Sequence, residues 1–253
     1  MTTLVALGDS VTVGVGDRVA RDGDSAGWVA HLAIALGATK FANLSRTGAR
    51  ARDVLAEQLA PALAVHADVA TILVGGNDVL RADFDADRVG RDVAEVAGRL
   101  ASRRTVVVVV LLHDPALVLP RGGGVFGRVV AARARLVNAA IRQEVEGLDS
   151  VLVVDPGAFP TTYLRSSWHV DRMHPSAEGH RHLALVVAQL LERHGFASTG
   201  AVPDVPSACP GPVEHAIWLV RNGIPWFAKR SLDLVPELVG VVVSDARLEA
   251  AAR

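Results

Sequence analysis

Along this chain, short runs of apolar, mostly β-branched residues alternate with longer stretches in which apolar positions recur every three or four residues. The short runs fall at residues 4–7, 69–74, 105–112 and 151–154, with a weaker one at 41–44. Each is almost wholly apolar, the pattern of a strand buried on both faces. The helical patterns lie at 28–36, 52–65, 89–100, 129–145 and 183–191. Buried strands alternating with amphipathic helices predict an α/β domain of three layers, a five-stranded parallel sheet with helices on both faces. In such sheets ligands bind beyond the carboxyl ends of the strands.

After Gly195 the pattern changes. The stretch "FASTGAVPDVPSACPGPVEH" carries Pro203, Pro206, Pro210 and Pro212 and reads as a linker. The expected organisation is an α/β domain at 1–197, a Pro-rich linker at 198–213 and a C-terminal extension at 214–253. Pro225 and Pro236 divide that extension into short helices. Its aromatic residues Trp218, Trp226 and Phe227 suit docking on the α/β domain, and the pair Lys229 and Arg230 is too small a charge to favour a membrane surface.

Composition narrows the function classes. Half of the 253 residues are hydrophobic, and 26 basic side chains stand against 27 acidic ones, so there is no electrostatic footprint for nucleic acid or anionic lipid. Cys209 is the one cysteine, which excludes an internal disulfide and a thiolate cluster. The first residues enter a strand without a basic and apolar leader, which reads as cytoplasmic. No apolar run approaches the roughly 20 residues of a membrane span.

The candidate chemistry sits at strand ends. The first strand stops at Gly8, Asp9 and Ser10, where the serine is either a helix N-cap or a nucleophile held out for attack. The third runs into Gly75, Gly76, Asn77 and Asp78, placing a side-chain amide on the same edge, and Gly48 follows the second strand just before a helix. The Ser10 and Gly48 backbone N–H groups and the Asn77 amide are able to surround a developing oxyanion. A serine nucleophile also needs a base and a group to orient it. In "WHVDRMHPSAEG", Asp171 stands three residues before His174, and Pro175 is expected to open a helix. At that spacing Asp171 can accept from one ring nitrogen while the other faces the serine. The plainer alternative is that Asp171 caps the helix and His174 is a surface residue.

Taken together, GDS at the first strand end, a glycine after the second strand, GxND after the third and DxxHP before the last helix resemble the four signature blocks of the SGNH hydrolases, also called the GDSL family. The resemblance spans about residues 1 to 195, with Val11 where the name has leucine. It implies a flavodoxin-like α/β/α fold and hydrolysis of a small-molecule carboxylic ester through an acyl-enzyme. In that reading Ser10 is the nucleophile, His174 the general base, Asp171 its partner, and Ser10, Gly48 and Asn77 the oxyanion donors. No cofactor or metal is implied. An acyltransferase or thioesterase would use the same site, and a catalytically silent binding module the same fold.

Rival chemistries find less support. His169, Asp171, His174, His180 and His182 crowd one region, yet on a helix His180 and His182 lie about 200° apart and do not converge on one ion. Residues 122–127 satisfy GxGxxG but do not follow a strand directly, so they read as a flexible loop. Leu117, Val118, Leu119, Phe159, Tyr163 and Trp168, after the fourth and fifth strands, are available to wall an acyl pocket or to pack.

Overall fold

A computed structural model describes residues 2–17, 27–199 and 202. The five runs form one parallel sheet: β1 (Thr2–Gly8), β2 (Ala38–Asn43), β3 (Val69–Leu73), β4 (Val106–Val110) and β5 (Val151–Val154), in the order β2-β1-β3-β4-β5. This is the flavodoxin-like arrangement. The weak run is the edge strand β2, whose Lys40 and Phe41 are exposed, so it needs little apolar content. The central strands are buried on both faces. Val5, Leu7, Ala70, Ile72, Val107 and Val109 pack on one side, and Leu4, Ala6, Val69, Leu73, Val108 and Val110 on the other.

Seven α-helices accompany the sheet among the described residues: α1 (Ser10–Val13), α2 (Trp28–Ala35), α3 (Ala51–Asp53), α4 (Leu59–Val65), α5 (Ala86–Ala101), α6 (Gly124–Val145) and α7 (Ala177–Arg193). The first face is covered by α4, α5 and α6 through Leu59, Val93, Val137 and Ile141, and the second by α2 and α7 through Trp28, Leu32, Val187 and Leu191. Full burial of one such Leu, Val or Ile side chain contributes about 1.5–3 kcal/mol. Among the described residues no helix is long and apolar enough to cross a membrane.

Three local expectations change. The pattern at 52–65 is not one uniform helix, because a π-helical stretch, Val54–Gln58, separates α3 from α4. Residues 124–127 are the first turn of α6 rather than part of a loop. Phe126 packs against the core there, and that burial outweighs the roughly 1 kcal/mol that a glycine costs a helix. Pro175 does not open α7 either. Ser176 is the N-cap, its hydroxyl accepting from the Gly179 N–H, and Pro175 pairs with Trp168 in an isolated antiparallel bridge. A hydroxyl satisfies an orphan N–H, which a proline ring cannot do.

Past α7, the Thr199 N–H donates to the Ala35 carbonyl at 2.8 Å, and Phe196 and Val202 pack on the α2/α7 side. The remaining linker and the extension at 214–253, with their short helices and docking, lie outside the described residues.

Candidate active site

The carboxyl ends of β1 and β3 are adjacent, with Gly8 opposite Leu73. At Gly8 the backbone has φ +149°, and a Cβ there would lie 2.2 Å from the Leu73 carbonyl oxygen, so only glycine lets the chain turn at this point. Gln58, from the π-helical stretch, brackets the turn: its Oε1 accepts from the Gly8 N–H at 2.8 Å and its Nε2 donates to the Gly8 carbonyl at 3.0 Å. The next two residues divide the work at the start of α1. Asp9 is the N-cap, its Oδ1 accepting from the Val11 N–H at 3.0 Å, which leaves the Ser10 hydroxyl free of a capping role.

That hydroxyl meets His174. The Ser10 Oγ lies 2.9 Å from His174 Nε2, and His174 Nδ1 lies 2.7 Å from Asp171 Oδ2. Asp171 thus both orients the imidazole and caps its own turn, since Oδ1 accepts from the Met173 and His174 N–H groups at 2.9 and 3.0 Å. Burial alone would push its carboxyl up, but bonds from His169 and His174 and the Met173 N–H outweigh it and hold the group well below the usual carboxylate range. It is a carboxylate at any working pH. Gly16 lets the loop after α1 close on this segment: a Cβ there, at φ +101°, would sit 2.0 Å from the Pro175 carbonyl oxygen. The crossing is too tight for any side chain.

The expected oxyanion groups differ in what engages them. Among the described residues, no acceptor takes the Ser10 or Gly48 backbone N–H, and the space in front of Gly48 is open. Asn77 Nδ2 donates to the Ala49 carbonyl at 3.1 Å and stands 3.5 Å from Asp9 Oδ2. It therefore joins the Gly48 loop to the nucleophile's turn, without a hydrogen bond to Ser10. Asp78, next to it, accepts from Arg50 Nε and the Ala51 N–H, both at 3.1 Å, and the same arginine donates to Asp83 at 2.9 Å. This pair ties the loop after β2 to the loop after β3.

Gln58, Arg50 and the capping role of Asp9 escaped the sequence reading. So did His180, fully buried in α7, whose Nδ1 accepts from the Trp28 N–H at 3.2 Å and whose Nε2 donates to the Val15 carbonyl at 3.0 Å. Burial holds this imidazole at about 4, hence neutral, as one donor and one acceptor require. His182 instead stands beside Thr161 and, edge-on, Phe159. Among the described residues, no group of three or more His, Cys, Asp and Glu side chains is placed to hold a metal ion.

A cavity of about 120 Å³ adjoins the site. Asp9, Val11, Gly76, Met173 and Pro175 line it together with Phe159, Trp168, Leu183 and Val186. Of the six residues considered for an acyl pocket, Phe159 and Trp168 line it and Leu117, Val118, Leu119 and Tyr163 do not.

A parallel sheet in this order, with helices on both faces and a serine, a histidine and a carboxylate in hydrogen-bonded series past its strands, defines a protein of the α/β/α class. The chain belongs to the GDSL-like lipase/acylhydrolase family, whose model matches residues 6–182. The lipase Lip_vut3 from a goat rumen metagenome is similar in structure, with a TM-score of 0.59 and 20% identity over 78% of this chain and 99% of that one. TesA is similar at a TM-score of 0.57 and 24% identity, over 76% and 98% of the two chains. The acetylxylan esterase Axe2 from Geobacillus stearothermophilus has a TM-score of 0.59 and 20% identity over 78% and 95%. No curated protein matches this chain in sequence. Family membership supports ester hydrolysis in general.

Proposed function

We propose that the protein is a carboxylic ester hydrolase that works through an acyl-enzyme on Ser10. The observation that carries this reading is the continuous series from Asp171 through His174 to the Ser10 hydroxyl, at 2.7 and 2.9 Å. With Nδ1–H donated to Asp171, Nε2 is left as the acceptor for the serine proton. As Oγ attacks the ester carbonyl, His174 takes that proton and then gives it to the departing alcohol. The carbonyl oxygen becomes an oxyanion, received by the Ser10 and Gly48 N–H groups and by the Asn77 amide. Asn77 has two amide hydrogens, one engaged by Ala49 and the other facing Asp9 only over a long contact, so the second is the one to turn to the oxyanion. Water, activated by His174 in turn, then attacks the acyl-enzyme and frees Ser10 with release of the acid. Lipases and an acetylxylan esterase among the structural neighbours share the fold that carries this chemistry.

Ser10→Ala tests the reading. Turnover of p-nitrophenyl acetate and butyrate is expected to disappear while the melting temperature stays near that of the parent protein. A folded Ser10→Ala protein with parental esterase activity would overturn the proposal.

A further inference from the structure

The cavity beside the site is built partly from the immediate neighbours of the serine, the histidine and the asparagine of the proposed mechanism. Asp9 and Val11 flank Ser10, Met173 and Pro175 flank His174, and Gly76 precedes Asn77. Leu73, Leu111 and Leu112 from the strand ends and Leu183 and Val186 from α7 complete a largely apolar lining. An alcohol that must depart into water gains little from such a place. The acyl part of an ester, which stays bound to Ser10 after the alcohol leaves, gains from being buried there.

We propose that this cavity receives the acyl group and restricts the enzyme to short, uncharged acyl chains of about four to six carbons, an inference that rests on the Ser10 reading above. The length follows from volume. An apolar cavity of about 150 Å³ holds the six carbons of benzene, so about 120 Å³ holds roughly five atoms beyond the ester carbonyl. Part of the wall is pinned rather than pliable, which sharpens the limit. Trp168 Nε1 donates to the Thr162 carbonyl at 2.5 Å, and the His113 ring lies against the indole at a tilt of 44°, with centroids 4.2 Å apart. Charge is restricted as well. The Asp9 carboxyl in the lining is pushed up by burial to about 6, so it is mostly ionised at neutral pH and disfavours an acyl group ending in a second carboxylate.

The test compares kcat/KM for p-nitrophenyl acetate, butyrate, hexanoate and decanoate, with each enzyme's reactive serine counted by fluorophosphonate labelling. The parent protein should peak at butyrate or hexanoate and fall at least about tenfold at decanoate, the scale on which apolar pockets discriminate chain length. Val186→Trp, which fills part of the cavity, should move the peak to acetate, and Val186→Ala, which enlarges it, should extend the peak toward decanoate. If the tryptophan variant does not fold, the alanine variant carries the test. Leu117→Ala, at a side chain 64% exposed and outside the cavity, should leave the profile as it is. Labelling at Ser10 combined with a flat or rising profile, with unchanged profiles in the Val186 variants, or with a profile moved by Leu117→Ala, would overturn the cavity assignment alone. Absence of labelling at Ser10 would overturn the nucleophile reading and this inference together.

Discussion

The loop that carries Ser10 and the loop that carries His174 meet at 2.9 Å, yet they are held in different ways. Ser10 is fixed by the sheet itself: β1 and β3 set the position of Gly8, the Asp9 N–H donates to the Leu73 carbonyl at 3.2 Å, and Gln58 grips Gly8 from the helical layer. His174 lies at the end of a long connection, residues 155–176, built from the 3₁₀ turns Pro156–Ala158, Pro160–Tyr163 and Arg165–Ser167. That connection closes on itself through the His169 N–H to the His174 carbonyl and the Ser176 N–H to the Ser167 carbonyl, both at 2.9 Å. It also holds Arg172 at φ 56°, a left-handed conformation that costs a non-glycine residue about 1–3 kcal/mol. Ser10 is placed by the core, and His174 by local capping. Damage to the first region should therefore reduce stability together with activity, whereas damage to the second should reduce activity alone.

The largest separation of the two is expected from Asp171→Asn. The amide keeps the shape of the turn but presents the imidazole in the wrong tautomer, so kcat should fall by about 10⁴. The melting temperature should stay within roughly 3 °C, about 1 kcal/mol. A large drop in melting temperature would show that the second loop is part of the cooperative core after all. Asn77→Ala should follow with a loss in kcat of about 10²- to 10³-fold, the usual cost of one oxyanion donor. A kcat within threefold of the parent would make Asn77 only a tie between loops.

On the core side, Gln58→Leu removes both bonds to Gly8: the buried Gly8 N–H is left unpaired, at about 1–3 kcal/mol, and the Gly8 carbonyl loses one bond of about 0.5–1.5 kcal/mol while keeping the Arg46 N–H at 3.1 Å. The melting temperature should drop by roughly 5–15 °C and Ser10 labelling should slow with it. Slower labelling at an unchanged melting temperature would contradict the contrast from the other direction.

A smaller effect is expected from pH. Burial holds His113 and His180 at about 4, below the ordinary imidazole value of 6.5, so the unfolded chain binds protons that the folded one refuses. Their contribution is complete above pH 6.5 and is lost as pH falls toward 4. Asp9, raised by burial to about 6, has the opposite sign, its contribution being present below about 4 and lost as pH rises through 6. His182 is lowered by burial as well, and burial raises Asp78 and Asp92 with the same sign as Asp9, so the slope of melting temperature between pH 6.5 and 4 is the sum of opposing shares, of which that of His113 is one. His113→Phe should take that share away, because the ring it replaces leaves Nε2 without a partner among the described residues. A slope equal to the parent's would remove His113 from this account.

How legible each region was in the sequence follows from the same contrast. Strands buried on both faces announce themselves as apolar runs, and Gly8, Asp9, Ser10 and Asn77 lie on or beside strand ends, with Asp171 and His174 just before α7, all in short motifs. Those motifs single out Ser10 and His174 as candidates for one site, while their spacing alone leaves open whether the two side chains meet. What sequence does not show is contact between residues far apart in the chain. Gln58 looks like one more polar position on an amphipathic helix, and only the π-helical stretch and the packing of α4 on the sheet bring its amide to Gly8. Arg50 and Asp78 become partners only once β1 and β3 are neighbours. Asp9 and Ser10 are both good N-caps, so local preference cannot say which takes that role. His180 and His174 are both histidines close to the start of α7, and burial of one and exposure of part of the other separates a structural tie from a base. The start of α6 was misread for a related reason, since three consecutive glycines favour a loop by propensity and only the packing of Phe126 decides otherwise.

The most direct test of the account is the site of covalent capture. The protein treated with a fluorophosphonate should gain the mass of one phosphonyl group, mapped by peptide sequencing to Ser10, and His174→Ala should slow that gain by orders of magnitude in a protein that still melts normally. An adduct on any other residue, or labelling of Ser10 that proceeds equally fast without His174, would contradict the assignment of nucleophile and base.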